Sequence, residues 1–306
     1  MIAPGGDEKT VMTRRLDAAH RLGIWLSRYP FRGRGMLRTI IRGALVPRPS
    51  GPVRIRARGG LTFIVDPVSN VGLERALYYD GTYEEGTLAF LEHMLRPGDT
   101  VIDVGAHFGL MSLVASRCVG SGGRVLSLEP QPENFSRLVR HIQLNGADSV
   151  VPLNAAVGAT GGSGVIYRRE RADTGSASML PSGNPESHGS TVRMVSLDAL
   201  CAEQRLESIR LVKIDVEGWE LEVLQGATRL LSGSDAPIVV MECSSLHPLH
   251  GGERSDLFRF ITSVNDYQVF TLARGKESPS RLVRMTSPAL LPVHDNLFCM
   301  RPAHQR

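Results

Sequence analysis

Cysteine is scarce in this chain: Cys118, Cys201, Cys243 and Cys299 lie far apart, with no C-x-x-C pair. That spacing offers neither a zinc ribbon nor a disulfide framework, and a reducing, cytoplasmic setting is the expectation. No apolar run approaches the ~20 residues that a bilayer crossing needs. The N-terminus also lacks the apolar core of a signal peptide. Acids are nearly missing from residues 1–60, which hold thirteen Lys or Arg against Asp7, Glu8 and Asp17, a formal +10. The remaining residues hold 22 basic and 28 acidic side chains, a formal −6. Such a head reads either as an arm for an anionic surface or nucleic acid, or as a solvated, partly helical extension packed on the main body.

The rest of the composition is ordinary, with 42% apolar and 22% charged residues, so it bounds the class and not the chemistry. Residues 11–26 carry helical spacing in Leu16, Ala19, Leu22, Trp25 and Leu26. After them Gly33, Gly35 and the prolines make a poor amphipathic helix. A Pro/Ser/Gly stretch over 47–52 signals a linker. The expected division is a basic extension over 1–52 and one domain over 53–306, with its core at about 98–300. VRIRARG and LTFIVD alternate and predict a hairpin joined at Gly59-Gly60. A helix is expected over 83–95.

From there apolar strands alternate with helices: TVIDVG, RVLSLEP, VVPLNAAV, LVKIDV and PIVVMEC are strands. Intervening helices are expected over 110–119, 133–144, 219–231 and 257–264. Strands that are apolar throughout and alternate with helices predict an α/β doubly wound, mostly parallel sheet covered on both faces. YQVFTLA and DNLFCMR read as an antiparallel pair closing one edge. Residues 168–190, rich in Gly, Ser and Pro, read as a long excursion: a substrate flap or surface disorder.

The sharpest motif is Val101-Ile102-Asp103-Val104-Gly105-Ala106-His107-Phe108-Gly109, at the junction of the first parallel strand and its helix. Ligands in such sheets bind at the carboxyl ends of the strands, near the point where strand order reverses. Gly105 lets the backbone turn sharply, and Gly109 permits tight packing at the helix start. Glu129 ends the next strand, where an acid hydrogen-bonds ribose hydroxyls. The pair points to a nucleoside cofactor. A nicotinamide site would carry G-x-G-x-x-G, and here the run is G-A-H-F-G, with an acid two positions before the first glycine. That arrangement suits S-adenosylmethionine, whose ligand end is an amino acid and not a pyrophosphate.

A third block runs LVKIDVEGWEL from Leu211. Lys213 and Asp215 share one face of their strand, because side chains alternate. They form either an anchoring ion pair or part of a site, since Asp215 and Glu217 stand at the strand's carboxyl end.

With these blocks in place the sequence resembles the FkbM family of methyltransferases. DVGAHFG resembles that family's first motif, LEPQPENFSRLVRHIQLN its ribose-binding strand and helix, and VSLDAL with LVKIDVEGWELEVLQGA and IVVMEC its most distinctive run. The resemblance spans roughly residues 80–300 and leaves residues 1–60 uncovered. It implies a class I methyltransferase fold, S-adenosylmethionine as donor, and O-methylation of a natural-product, sugar or glycolipid hydroxyl. His107 stands where asparagine is common in the family.

The expected cofactor residues are Tyr83, Asp103, Gly105, Ala106, Gly109, Glu129, Asn154 and Ala155. Tyr83 and Glu84 resemble a family position near the methionine end, their plainer reading being helix capping. Asn154 and Ala155 end the third strand beside the adenine. Asp215 is the first candidate for the base that takes the hydroxyl proton, Glu217 the second, with Lys213 tuning the pair. Glu242 ends the fifth strand facing substrate. His247, just beyond, is either a second base or a solvated loop histidine. A cation held by Asp215 and Glu242 is a further reading, although no dedicated metal-ligand cluster is visible. Rival functions are a nucleic-acid methyltransferase gripping phosphates with its head, or a cofactor-binding partner protein without activity. The N/D-P-P-Y/F run of base-nitrogen enzymes is missing after the fourth strand. The expected partner is therefore a small-molecule or saccharide acceptor.

Overall fold

A computed structural model describes residues 14–29, 31–70, 72–168, 177–178, 189–243 and 253–305. It opens with helices α1 (Arg14–Arg28) and α2 (Arg34–Leu45), then a hairpin of β1 (Val53–Ala57) and β2 (Leu61–Val65). Helices α3 (Leu73–Asp80) and α4 (Glu85–Met94) lead into the alternating body. There β3 (Thr100–Val104), α5 (Leu110–Val119), β4 (Arg124–Leu128), α6 (Pro132–Asn145) and β5 (Val150–Leu153) follow in turn. A side sheet holds β6 (Ala156–Val157), β7 (Gly162–Arg168), β8 (Ala177–Ser178) and β9 (Gly189–Val195). Then come α7 (Leu197–Glu203), β10 (Leu211–Ile214), α8 (Glu220–Gln225), α9 (Thr228–Ser232), β11 (Ile238–Cys243) and α10 (Arg254–Val264). Strands β12 (Gln268–Leu272), β13 (Leu282–Met285) and β14 (Asp295–Met300) finish the chain.

The main sheet has the order β13-β12-β14-β11-β10-β3-β4-β5. Its β11-β10-β3-β4-β5 half is parallel throughout. Strand β14 runs antiparallel between β11 and β12, and β13 adds an antiparallel edge. The doubly wound α/β class read from the strand pattern is thus the fold. Alternate strand residues feed two cores, Val101, Leu211 and Val240 on one face, Ile102, Val212 and Met241 on the other. Leu16, Ala19, Leu26 and Ile41 of α1 and α2 are buried in the first of these cores. Among the described residues no helix is long and apolar enough to cross a membrane.

Several boundaries differ from the sequence reading for physical reasons. Residues 34–45 do form a helix despite Gly35 and Gly43, because Leu37, Ile41 and Leu45 give it an apolar stripe, with Ile41 in the core. The run WELEVLQGATRLL is two helices, broken at Gly226, where any Cβ would stand 2.1 Å from the Gly158 carbonyl oxygen. VVPLNAAV is likewise split at Asn154-Ala155, one half in each sheet. The excursion begins and ends in the antiparallel pair β7 and β9; residues 169–176 and 179–188 lie outside the described residues.

Candidate functional site

Strand order reverses between β3 and β10, so the crevice at their carboxyl ends is the place where this fold binds ligands. Asp103 and Lys213 are register partners across these two strands. Lys213 Nζ donates to Asp215 Oδ2 at 2.9 Å. Burial opposes the Lys213 charge, but Asp215 and Asp103 outweigh it and hold its pKa above the ordinary lysine range. Asp103 is 2% exposed, and its Oδ2 accepts from Ser112 Oγ at 2.6 Å. Ser112 accepts in turn from Ser127 Oγ at 2.7 Å, which fixes the carboxyl plane. Oδ1 of Asp103 has no hydrogen-bond partner among the described residues. Burial raises the Asp103 pKa despite the nearby Lys213 charge.

The loop after β3 turns at Gly105, φ +80, with its amide on the Leu128 carbonyl oxygen at 2.9 Å. A Cβ there would stand 1.9 Å from the Asp215 carbonyl oxygen, so the two strand ends approach at a distance only glycine allows. The Ala106 amide takes the same Leu128 oxygen. Gly109, φ +101, starts α5, where a Cβ would strike the Leu138 side chain.

Glu129 follows β4 and is 5% exposed. One carboxylate oxygen accepts from the His107 amide at 2.8 Å and the other from the Gln131 amide at 2.9 Å. The Asn134 side chain adds a third bond, so the carboxylate keeps acceptor capacity for one further donor. Burial pushes this carboxyl up to about 7, with the backbone bonds pulling against it. Asn154 is exposed and donates to the Glu129 and Pro130 carbonyls at 2.8 and 3.1 Å, so it ties down the Glu129 loop. The Ala155 side chain is packed in the core.

A second cluster was not read from the sequence. Lys276, in the turn after β12, is 8% exposed and places Nζ 2.8 Å from Glu84 Oε1 and 2.9 Å from Glu242 Oε1. Asn296 Nδ2 donates to Glu84 Oε2 and to Thr87 Oγ1, each at 2.8 Å. His294 Nε2 lies 3.6 Å from Glu242 Oε1, with its side chain 56% exposed. Asp295 Oδ1 accepts the amides of Lys276 and Asn296 at 2.9 and 2.8 Å. The Lys276 carbonyl receives the Gly86 amide at 2.8 Å, so the start of α4 docks directly on this turn.

The two clusters share one electrostatic field. Burial and the neighbouring Asp215 charge raise the Glu242 pKa. Burial would raise Asp215 too, but Lys213 and Lys276 reverse that and hold it below the carboxylate range. Burial pushes Tyr83 up, and the Glu84 and Asp215 charges add to it against the opposing Lys276 charge.

Of the four non-glycine residues with positive φ among the described residues, three lie here: Glu84 (46°), His107 (52°) and Glu217 (54°). Such conformations persist where surrounding structure over-determines them, and they gather at functional sites. The turn holding Glu217 is closed by Glu220, which accepts from the Val216 and Gly218 amides at 3.3 and 3.1 Å. Burial pushes the Glu220 carboxyl up to about 8.

The fold thus brings Tyr83, Asp103, Gly105, Asp215, Glu242 and the unforeseen Lys276, His294 and Asn296 to one end of the sheet. His247 lies outside the described residues. No group of three or more metal-ligating side chains exists among the described residues. The donor set fits S-adenosylmethionine: a buried unpartnered Asp103 oxygen for an ammonium group and a Glu129 carboxylate with acceptor capacity left for a ribose hydroxyl.

The profile of the methyltransferase FkbM domain matches residues 103–269. AglP of Haloferax volcanii, a hexuronic acid methyltransferase, is 27% identical over 156 residues, which cover 51% of this chain and 61% of that protein. Trm5b of Pyrococcus abyssi superposes with a TM-score of 0.42 at 12% identity, over 84% of this chain and 57% of that one. A SAM-dependent methyltransferase of Agrobacterium tumefaciens gives 0.41 at 10% identity, over 83% and 70%.

Proposed function

We propose, from the premise that this chain belongs to the FkbM methyltransferase family and is an S-adenosylmethionine-dependent methyltransferase, that it methylates a hydroxyl oxygen of a saccharide acceptor. The observation that carries the reading is a pair of lysine–carboxylate clusters at the strand ends: Lys213 bound to Asp215 with Asp103 as its register partner, and Lys276 bridging Glu84 and Glu242. The saccharide is favoured by the similarity to AglP, and a hydroxyl by a site rich in hydrogen-bond acceptors.

The chain's own residues divide the work. Asp103 Oδ1 takes the ammonium of the cofactor's amino-acid end, and Glu129 takes a ribose hydroxyl. Glu217 and Tyr83 flank the crevice, and Asn154 holds the Glu129 loop in place. When bound, the cofactor supplies the methyl group. As the acceptor oxygen gains that methyl it loses one proton. Glu242 receives it, because burial and the Asp215 charge make it the stronger base of the two carboxylates. The sequence put Asp215 first; the two lysines that stabilise its ionised form weaken it as a base. Asp215 instead keeps Lys213 in place. Lys276 fixes the Glu242 carboxyl, and His294 stands between it and solvent to carry the proton away. Alignment of two reactants in such a pocket supplies roughly 7–11 kcal/mol.

The test is S-adenosylhomocysteine release on a panel of neutral and uronic-acid oligosaccharides, with the methyl position mapped by NMR. Transfer to a sugar oxygen is the expected result. Transfer confined to an amine nitrogen or to RNA would overturn the reading.

A further inference from the structure

Residues 18–60 contain ten arginines and no aspartate or glutamate. Arg38 and Arg42 are paired with Asp80, and Arg58 with Glu85 and Glu92. Arg21 on α1, Arg32 in the turn before α2 and Arg48 in the chain that leaves α2 are exposed. Among them stand large apolar side chains that packing leaves in solvent: Trp25 is 48% exposed, Tyr29 57%, Phe31 44%, Met36 70% and Ile40 55%. The three aromatic rings form one group, with Trp25 at 5.4 Å from Tyr29 and 6.3 Å from Phe31. Met36 and Ile40, one turn apart on α2, lie off the stripe of Leu37 and Ile41 that reaches the core.

The whole segment is firmly docked, so its outer face is not a loose end. His20 bridges the Arg56 and Tyr78 carbonyls at 3.0 and 2.7 Å, and a Cβ at Gly23 would stand 2.8 Å from the Asp80 carbonyl oxygen. Exposed apolar side chains gathered at one place mark a binding surface. Aromatic rings, aliphatic side chains and arginines left exposed on two packed helices and the turn and chain beside them suit the boundary between lipid headgroups and acyl chains, where rings and stems enter and guanidiniums meet anionic lipid.

We propose that the outer face of α1, α2 and the turn joining them is a docking surface for anionic lipid membrane. Nucleic acid is the less fitting polyanion, since phosphate contacts make no use of Met36 or Ile40. The proposal is independent of the methyl-transfer chemistry and fails or stands without it. It also places Asp80, held by Arg38 and Arg42, four residues before Glu84, so the membrane would lie close to the edge of the catalytic crevice.

The experiment is co-sedimentation of the full chain with vesicles of phosphatidylcholine alone and of phosphatidylcholine with phosphatidylglycerol. Wild type should pellet with the anionic vesicles, weaken with added salt, and show a blue-shifted Trp25 emission. The combined variant Met36→Gln, Ile40→Gln and Phe31→Ser should lose at least about tenfold in partitioning while keeping its circular dichroism. Arg21→Gln, Arg32→Gln and Arg48→Gln together should lose about a hundredfold. No vesicle binding by wild type overturns the proposal. So does binding, to vesicles or to RNA, that the apolar substitutions leave unchanged.

Discussion

The Lys276 ammonium lies 2.8 Å from a carboxylate oxygen of Glu84 and ties the start of α4 to the turn after β12. The same ammonium reaches Glu242 at 2.9 Å, so one cation compensates two buried acids. Removing it strands both. Lys276→Met should cost about 3–5 kcal/mol of stability, the range for breaking a buried pair, measured by urea unfolding. Adding Glu84→Gln to that variant should recover part of the loss. A Lys276→Met protein as stable as wild type would show that the cluster carries little of the fold.

Glu242→Gln should lower kcat by about 10²–10⁴ with cofactor affinity kept, because it removes the proton acceptor. Wild-type activity should fall on acidification as Glu242 protonates, with the midpoint above the usual glutamate range. Asp215→Asn should disturb the rate less and lower stability more, since Lys213 then faces an amide. The opposite ranking in kcat would return the base to Asp215.

Stability of the cofactor-free protein should fall as pH rises from about 5 to 8. Glu129 and Glu220, ordinarily near 4.5, are pushed up to about 7 and about 8 in the folded chain. In that window the folded state holds protons that the unfolded state has released, so raising pH favours unfolding. Glu129 alone accounts for something on the order of 3 kcal/mol. Glu129→Gln should flatten the profile in denaturant unfolding at the two pH values; an unchanged slope would contradict the assignment.

Gly105→Ala should be far more damaging than Gly109→Ala. At Gly105 the added carbon meets the Asp215 carbonyl oxygen, which is backbone at the strand crossing. At Gly109 it meets the tip of Leu138, which can rotate, leaving about 1–3 kcal/mol of positive-φ strain. Thermal unfolding of both variants tests the order.

Much of this is legible in the sequence. Strands such as TVIDVG and IVVMEC are buried on both faces, so their apolar runs announce a parallel sheet, and the acids that end them stand out. Asp103, Glu129, Asp215 and Glu242 are singled out that way as candidates. Lys276 is not: it sits in the polar turn ARGKESPS, where a lysine beside a glutamate reads as solvated, and only the docking of α4 buries it. Asn296 lies in the strand inserted between β11 and β12 and His294 just before it, a placement no local pattern encodes. Helix α2 was obscured by its glycines, which its apolar stripe overrides. The break at Gly226 depends on the carbonyl of Gly158, remote in sequence.

The central claim is a nucleoside-binding crevice whose cofactor-holding and proton-accepting carboxylates are separate residues. Titration calorimetry with S-adenosylmethionine on wild type, Glu129→Ala and Glu242→Gln tests it most directly. The account predicts tight binding to wild type and to Glu242→Gln, and binding lost in Glu129→Ala. Unaltered binding by Glu129→Ala, or none by wild type, would contradict it.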